Sequence, residues 1–252
     1  MSRRCFRVIA ALFGLASANA LSPAPIADPA AMLSRADAPH DAFPEGVIRL
    51  RVVVKERGKE PLAILLELFV KGTDQSLCVF REGKQKGRKI LTLGDRVFLI
   101  VPGASHPVPV SKTQRLMGAA SFGDVARLRF ADTYVATLRP GVEPVAGKDG
   151  ETLCRVLDLK AVRAGSAYPL AVLWTGRDDG LARRLRLTLP SGKDAKEVFF
   201  TDYGDKQRLR TMEIHDLLAK GGENVTRLEF LNYEPRALDP TTFDPEGARA
   251  VP

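Results

Sequence analysis

From Val47 to Tyr233 the chain is mostly short apolar segments closed off by turn residues, and this spacing constrains the fold more than any other feature. Eleven segments read as strands: 47–56, 62–70, 77–81, 89–93, 96–101, 151–160, 168–176, 181–189, 196–203, 206–214 and 226–233. Gly94-Asp95 is a two-residue hairpin turn, and Arg57-Gly58-Lys59, Arg177–Gly180, Pro190–Lys193 and Gly204-Asp205 punctuate the rest. Connections this short join antiparallel neighbours, because a parallel pair needs a crossover of a dozen residues or more. Arg184–Leu189 alternates polar and apolar, the signature of a half-buried strand. Leu62–Val70 is apolar except at Glu67, which marks the outer face and turns Leu66 and Leu68 inward.

The pattern changes between 102 and 147. Residues 113–120 and 122–138 read as helices, with Phe122, Val125, Leu128, Phe130 and Val135 forming an approximate helical stripe. Asp28 followed by Pro29 signals a helix start, giving a short helix over 28–36. A wide antiparallel sheet must cover its apolar face, and these helices are the available lid. The expectation is a mainly β (α+β) chain of about eleven antiparallel strands under a helical lid.

The first residues have a separate logic. Met1–Arg7 carries three arginines and no acid, an apolar run extends from Val8 to Leu15, and Ala16-Ser17-Ala18-Asn19-Ala20 ends small-x-small. These are the three parts of a secretory signal, cleaved after Ala20. The alternative is an N-terminal membrane anchor, although the run falls short of the ~20 apolar residues of a spanning helix. The domain reading is therefore a signal peptide over 1–20, an N-terminal segment with a short helix over 21–44, and one large unit over 45–252. The expected compartment is the periplasm, reached by the general secretory route; Ser2-Arg3-Arg4-Cys5-Phe6 also resembles the twin-arginine motif.

Removal of Arg3, Arg4 and Arg7 lowers the formal net charge from +8 to +5. Bases are scattered except over Glu82–Lys89, which reads as a solvated hairpin turn without aromatic partners for bases, so no nucleic-acid partner is expected. Cys78 and Cys154 lie in apolar strand segments, which leaves open two buried thiols or a disulfide. His40, His106 and His215 are far apart. Glu213-Ile214-His215-Asp216 lacks a companion cluster and reads as a strand end rather than a metal site. The acids at Asp178, Asp179, Asp202 and Asp205 sit in or beside turns, where Asp serves local backbone hydrogen bonds. No catalytic residue, metal or cofactor is expected.

Several stretches together resemble the LolA-like periplasmic outer membrane lipoprotein-sorting family. They are Asp74–Phe80, Lys86–Leu91 with Gly94–Pro102, Met117–Val125, Leu187–Lys193 through Phe200–Tyr203, and Asn232–Pro245. The resemblance runs over roughly 45–245 by the order and spacing of these motifs. Phe98 stands where that family often has Trp, and Leu173-Trp174-Thr175-Gly176 replaces a strand that usually carries an acid.

The resemblance implies a half-barrel closed by helices and a non-catalytic carrier of acyl chains, from lipoproteins or another lipid, moving towards the outer membrane. It also implies an inner-membrane transporter and an outer-membrane acceptor as partners. The alternative is an envelope sensor or interaction module on a similar half-barrel of the RseB kind. Expected cavity residues are Leu66, Leu68, Val79, Leu91, Phe98, Ile100, Trp174, Leu187, Leu189 and Phe200 from the sheet, with Met117 and Phe122 from the lid. Each reads equally as ordinary core, since alternation fixes a face but not which side is concave.

Overall fold

In a computed structural model, residues 28–39, 43–111, 115–121, 129–148, 150–219 and 224–252 are described. Their core is one open antiparallel sheet of 14 strands, with a separate two-stranded hairpin. The first run comprises β1 (Glu45–Lys55), β2 (Leu62–Lys71), β3 (Gln75–Phe80), β4 (Lys89–Leu93), β5 (Arg96–Ile100) and β6 (Val108–Val110). The hairpin is β7 (Arg115–Met117) and β8 (Ala120–Ser121). The second run comprises β9 (Tyr134–Leu138), β10 (Glu143–Gly147), β11 (Gly150–Ala161), β12 (Leu170–Gly176), β13 (Ala182–Thr188), β14 (Asp194–Tyr203), β15 (Leu209–Asp216) and β16 (Val225–Pro235). The helices are α1 (Pro29–Asp37), α2 (Phe130–Thr133) and α3 (Gly247–Ala250).

Two meanders join where β16 pairs with β1, Val52 opposite Leu228. The long β11 takes two partners along one edge: β10 on its first half and β9 on its second. The outermost strands, β6 and β10, each carry a proline, Pro109 and Pro144. Proline withholds a donor and so blunts an edge against further pairing.

The sheet is strongly curled. Arg163, just after β11, forms an ion pair with Asp95 in the β4–β5 turn. Between β12 and β4 lie eight inter-strand steps, or roughly 38 Å on a flat sheet at ~4.8 Å per step. Two side chains cannot span that distance, so accumulated twist must bring the halves together. Residues pointing to the inside of the curl, such as Leu50, Leu66, Phe80, Leu173, Leu185 and Ile214, form one buried apolar cluster with Leu33 and Ala36 of α1 and Phe130 of α2.

The eleven expected strands correspond to β1–β5 and β11–β16. The strand number is corrected by β6–β10, all within 102–147 where the pattern changes; β7, β8 and β9 fall in or beside the two segments read as helices. Residues 134–138, read as helix, are a strand because β-branched and aromatic side chains favour the extended backbone and because β11 has an open edge to pair. Residues 115–117 and 120–121 form a hairpin around Gly118, whose φ of +55° only glycine adopts readily. A Cβ at Gly118 would also lie 2.5 Å from Thr226 Oγ1 and 2.6 Å from Val54 Cγ1. The helical lid expected over 113–120 and 122–138 is thus replaced by strands wherever the chain is described, apart from the single turn α2. Residues 122–128 lie outside the described residues. The helix expected over 28–36 is present as α1, with Asp28 capping Ala30 N–H at 3.0 Å.

Candidate functional site

The candidate site is the inner face of the curl and the pieces laid across it. α1 is amphipathic by position: Leu33 and Ala36 face the sheet, and Arg35 reaches outward. Arg35 Nε donates to Asp179 carbonyl at 3.0 Å, and its Nη2 donates to Gln207 Oε1. Gly180 makes room for this arm, since a Cβ there would meet Arg35 Cγ at 2.7 Å. The last turn of α1 is thereby tied to the β12–β13 and β14–β15 turns.

The same turn ties α1 to α2. Asp37 is 3% exposed. Its carboxylate accepts from Phe130 N–H at 2.7 Å and from Ala131 N–H at 2.9 Å. These are first-turn donors of α2 that have no partner within the helix. Phe130 then packs edge-on against Phe200 of β14, centroids 6.4 Å apart. The β7–β8 hairpin is held by Ala119 N–H donating to Thr226 Oγ1 at 2.8 Å.

The polar groups among the inner aromatics are satisfied by the chain itself. Tyr203 hydroxyl donates to Ala182 carbonyl at 2.7 Å, Tyr233 hydroxyl to Leu209 carbonyl at 2.5 Å, and Tyr134 hydroxyl to Tyr168 carbonyl at 3.2 Å. Burial pushes the Tyr134 phenol up to about 12, and raises Tyr203 and Tyr233 as well, so all three stay neutral donors. Cys78 lies in this face and burial pushes its thiol up to about 12. Cys154 lies in a separate cluster with Trp174, and burial raises it to about 11. Both cysteines are free and buried, the first of the two alternatives left open by the sequence.

The outer face is built differently. Glu67 does point outward, between Arg49 at 3.0 Å and Arg81. Glu213 and Arg227 pair at 2.6 Å, Arg51 and Glu229 at 3.3 Å, and Glu197 takes Arg184 and Arg186. Over β3–β5 the outer face is instead apolar and covered by the C-terminal segment, with Phe243 and Ala248 seated on Val79, Leu91 and Ile100. Lys89 pins this cover: its Nζ donates to the carbonyls of Ala248 at 3.0 Å, Arg249 at 2.6 Å and Val251.

The twelve residues expected to line one cavity therefore do not share a face. Leu66, Leu68, Leu187 and Phe200 come together on the inner face. Val79, Leu91, Phe98 and Ile100 lie on the opposite side, beneath the C-terminal segment. The reason is register: Val79 is paired with outward-facing Glu67, whereas Cys78 and Phe80 are paired with Leu68 and Leu66. Trp174 is also outward, donating its Nε1–H to Glu143 Oε2 at 2.7 Å under the Arg184 guanidinium. Leu189 is half-buried in the β13–β14 turn. Met117 ends β7, and Phe122 lies outside the described residues. Sequence reading missed Cys78, Phe80, Phe130 and Tyr233 on the inner face; parity against Glu67 would have found the first two once the β2–β3 register was known.

Among the described residues no group of three or more His, Cys, Asp and Glu is placed to hold a metal. Glu213 and His215 face outward while Asp216 turns inward, so the run read as a strand end is one. No described helix is long and apolar enough to cross a membrane.

A family model described as an uncharacterized protein matches residues 72–247. No functionally curated protein matches the chain. Among solved structures, a LolA superfamily protein from Nitrosomonas europaea is similar over 87% of this chain and 99% of its own, at 22% identity and TM-score 0.77. A domain assigned to outer membrane lipoprotein sorting in Vibrio parahaemolyticus covers 88% and 98% at 14% identity and TM-score 0.72. A DUF1329 family protein from Desulfovibrio piger covers 86% and 98% at 21% identity and TM-score 0.69.

Proposed function

The chain belongs to a LolA-like family, and from that premise we propose that it is a periplasmic, non-catalytic carrier that takes acyl chains against its inner face. The observation that carries this reading is the chemistry of that face. Leu66, Leu68, Leu187, Phe200 and their neighbours form an aliphatic and aromatic surface reaching from β1–β5 to β11–β16. The hydroxyls of Tyr134, Tyr203 and Tyr233 on this face are occupied by backbone carbonyls, so they do not fix a ligand's orientation. Such a surface binds by area rather than by pattern, which suits a saturated chain. Each methylene withdrawn from water contributes about 0.8 kcal/mol.

The pieces lying across the face are short and separately anchored: α1 by Arg35 and Asp37, the hairpin by Thr226. In this reading they shift to admit cargo, and the curled sheet stays in place. Lipoprotein acyl chains, or another lipid, pass from an inner-membrane transporter to an outer-membrane acceptor. The export reading of residues 1–20 supplies the compartment.

Native mass spectrometry of gently purified protein, with fluorescent fatty-acid uptake, tests this. The expected result is a bound lipid mass and saturable uptake that Leu66→Trp or Phe200→Trp, which fill the face, reduce. A clean apo mass together with no uptake by the wild type rules the carrier reading out.

A further inference from the structure

The exposed aliphatic residues of this chain are unevenly placed. Strands β9, β11, β12, β13, β14, β15, β16, β1 and β2 lie side by side in the sheet, and their ends on one side form a continuous rim. That rim begins at Val135 in β9, passes Val162 and Leu170 between β11 and β12, then Leu217 and Leu218 after β15, and reaches Leu62 at the start of β2. These six side chains are 64%, 61%, 51%, 43%, 52% and 52% exposed. The β2–β3, β12–β13 and β14–β15 turns at the other ends of the same strands carry no exposed large apolar residue.

The rim is also the more basic side. Exposed Lys55, Arg57, Lys59, Lys160 and Lys193 stand on the rim, with Arg163, which is paired with Asp95. The exposed acids there are Glu60, Asp194 and, just before β9, Asp132, which pairs with Arg129; half-buried Glu56 pairs with Lys59. The opposite turns are close to balanced, with Asp74, Asp178, Asp179 and Asp205 against Arg177, Lys206 and Arg208.

We propose that this rim docks the protein on an anionic lipid bilayer, with the aliphatic side chains entering the interface and the surrounding bases meeting lipid headgroups. Aliphatic residues at strand tips, ringed by lysine and arginine, are the combination that gives reversible interfacial binding. An aliphatic tip gains nothing from water, so its presence at the β11–β12, β15–β16 and β1–β2 connections on one side marks a surface that is covered in use. Those tips stand apart on separate turns, a layout suited to a fluid surface, where each side chain finds its own depth, more than to a shaped protein groove. The proposal goes beyond the carrier reading and does not depend on what the inner face holds.

Co-sedimentation of the chain with vesicles of phosphatidylethanolamine and phosphatidylglycerol, and with phosphatidylcholine vesicles, reads the docking directly. Wild type is expected to partition onto the anionic vesicles and more weakly onto the neutral ones. Val162→Asp with Leu218→Asp is expected to reduce partitioning at least about tenfold, since each replacement withdraws an inserted aliphatic group and adds a charge the anionic surface repels. Leu231→Asp removes a side chain 48% exposed in the far half of β16 and is expected to leave partitioning unchanged. All three positions are exposed, and circular dichroism checks that each variant is folded. No partitioning by wild type overturns the proposal, as does an equal loss in Leu231→Asp. Partitioning that salt abolishes but the rim substitutions leave intact also overturns it. Fatty-acid uptake in solution speaks to the inner face alone, so either reading can fail without the other.

Discussion

Replacement of Asp37 by alanine tests how the short helices are held over the inner face. The carboxylate is 3% exposed and accepts from Phe130 N–H at 2.7 Å and Ala131 N–H at 2.9 Å. A hydrogen bond to a charged group contributes about 1.5–3 kcal/mol, and a buried donor left without a partner costs about 1–3 kcal/mol. Part of this is returned, because alanine no longer holds a carboxylate out of water. The net expectation for Asp37→Ala is a loss of about 3 kcal/mol, at the high end for a single polar change. Asp37→Asn keeps one acceptor but points its amide at the second donor, so it should lose about half as much. Urea unfolding followed by fluorescence of Trp174, the one tryptophan in the sequence, gives both values. Hydrogen exchange should show the Phe130 and Ala131 amides losing protection first. Ser34→Ala, which removes an exposed hydroxyl bonded to Ala30 carbonyl at 3.2 Å, should stay within about 0.5 kcal/mol of wild type. A cost below about 1 kcal/mol for Asp37→Ala, with asparagine no different, would refute the capping argument.

A double-mutant cycle on Phe130→Leu and Phe200→Leu should give a coupling of about 0.5–1.5 kcal/mol for the edge-on ring pair, and a coupling of zero would show that the rings are independent. Gly118→Ala should destabilise by about 1–3 kcal/mol, because the new Cβ meets both φ of +55° and the Val54 and Thr226 side chains; an unchanged melting midpoint would contradict this. Burial raises Glu67, but Arg81 and Arg49 outweigh it and hold the carboxyl below its ordinary value of 4.5. Its contribution to stability is then fully present above 4.5 and lost as pH falls through the lower folded value. The stability gap between wild type and Glu67→Gln should accordingly narrow only in acid, and a gap independent of pH would count against the pairing. Lys89→Met removes the donor to the Ala248, Arg249 and Val251 carbonyls, so tryptic cleavage at Arg236 and Arg249 should quicken. An unaltered cleavage rate would mean that Phe243 and Ala248 hold the segment unaided.

The strands were legible where turn chemistry and alternation agreed. Gly94-Asp95 and the alternating Arg184–Leu189 locate β4, β5 and β13 because each signal is local. Residues 134–138 were misread because the decisive fact is not local: Tyr134–Leu138 becomes a strand by pairing with the second half of β11, some twenty residues ahead in the sequence. The 115–121 hairpin was missed for a related reason, since Gly118 reads as a weak helix residue until Val54 and Thr226 are known to crowd it.

The site was half legible, and the division has one cause. Alternation sorts each strand into two faces but leaves open which face of one strand meets which face of the next. Glu67 resolved this for β2 because a charge on an apolar strand needs an outward partner, and it has two in Arg49 and Arg81. On β3 no charge marks the outward row, and on β4 the one charge in it, Lys89, is buried with the row under Phe243 and Ala248. Val79 and Leu91 are as apolar as Leu66 and Phe80, so composition alone could not separate the cover of one face from the lining of the other. The asymmetry between the halves of the sheet follows from this. Over β13–β16 the outer face shows solvent a lattice of ion pairs, and the apolar residues point inward. Over β3–β5 both faces are apolar, and the chain supplies its own C-terminal segment as a second cover, tied down by a buried lysine. That arrangement supports β3–β5 from behind, so in the carrier reading the parts that yield to cargo are α1, α2 and the β7–β8 hairpin rather than the sheet.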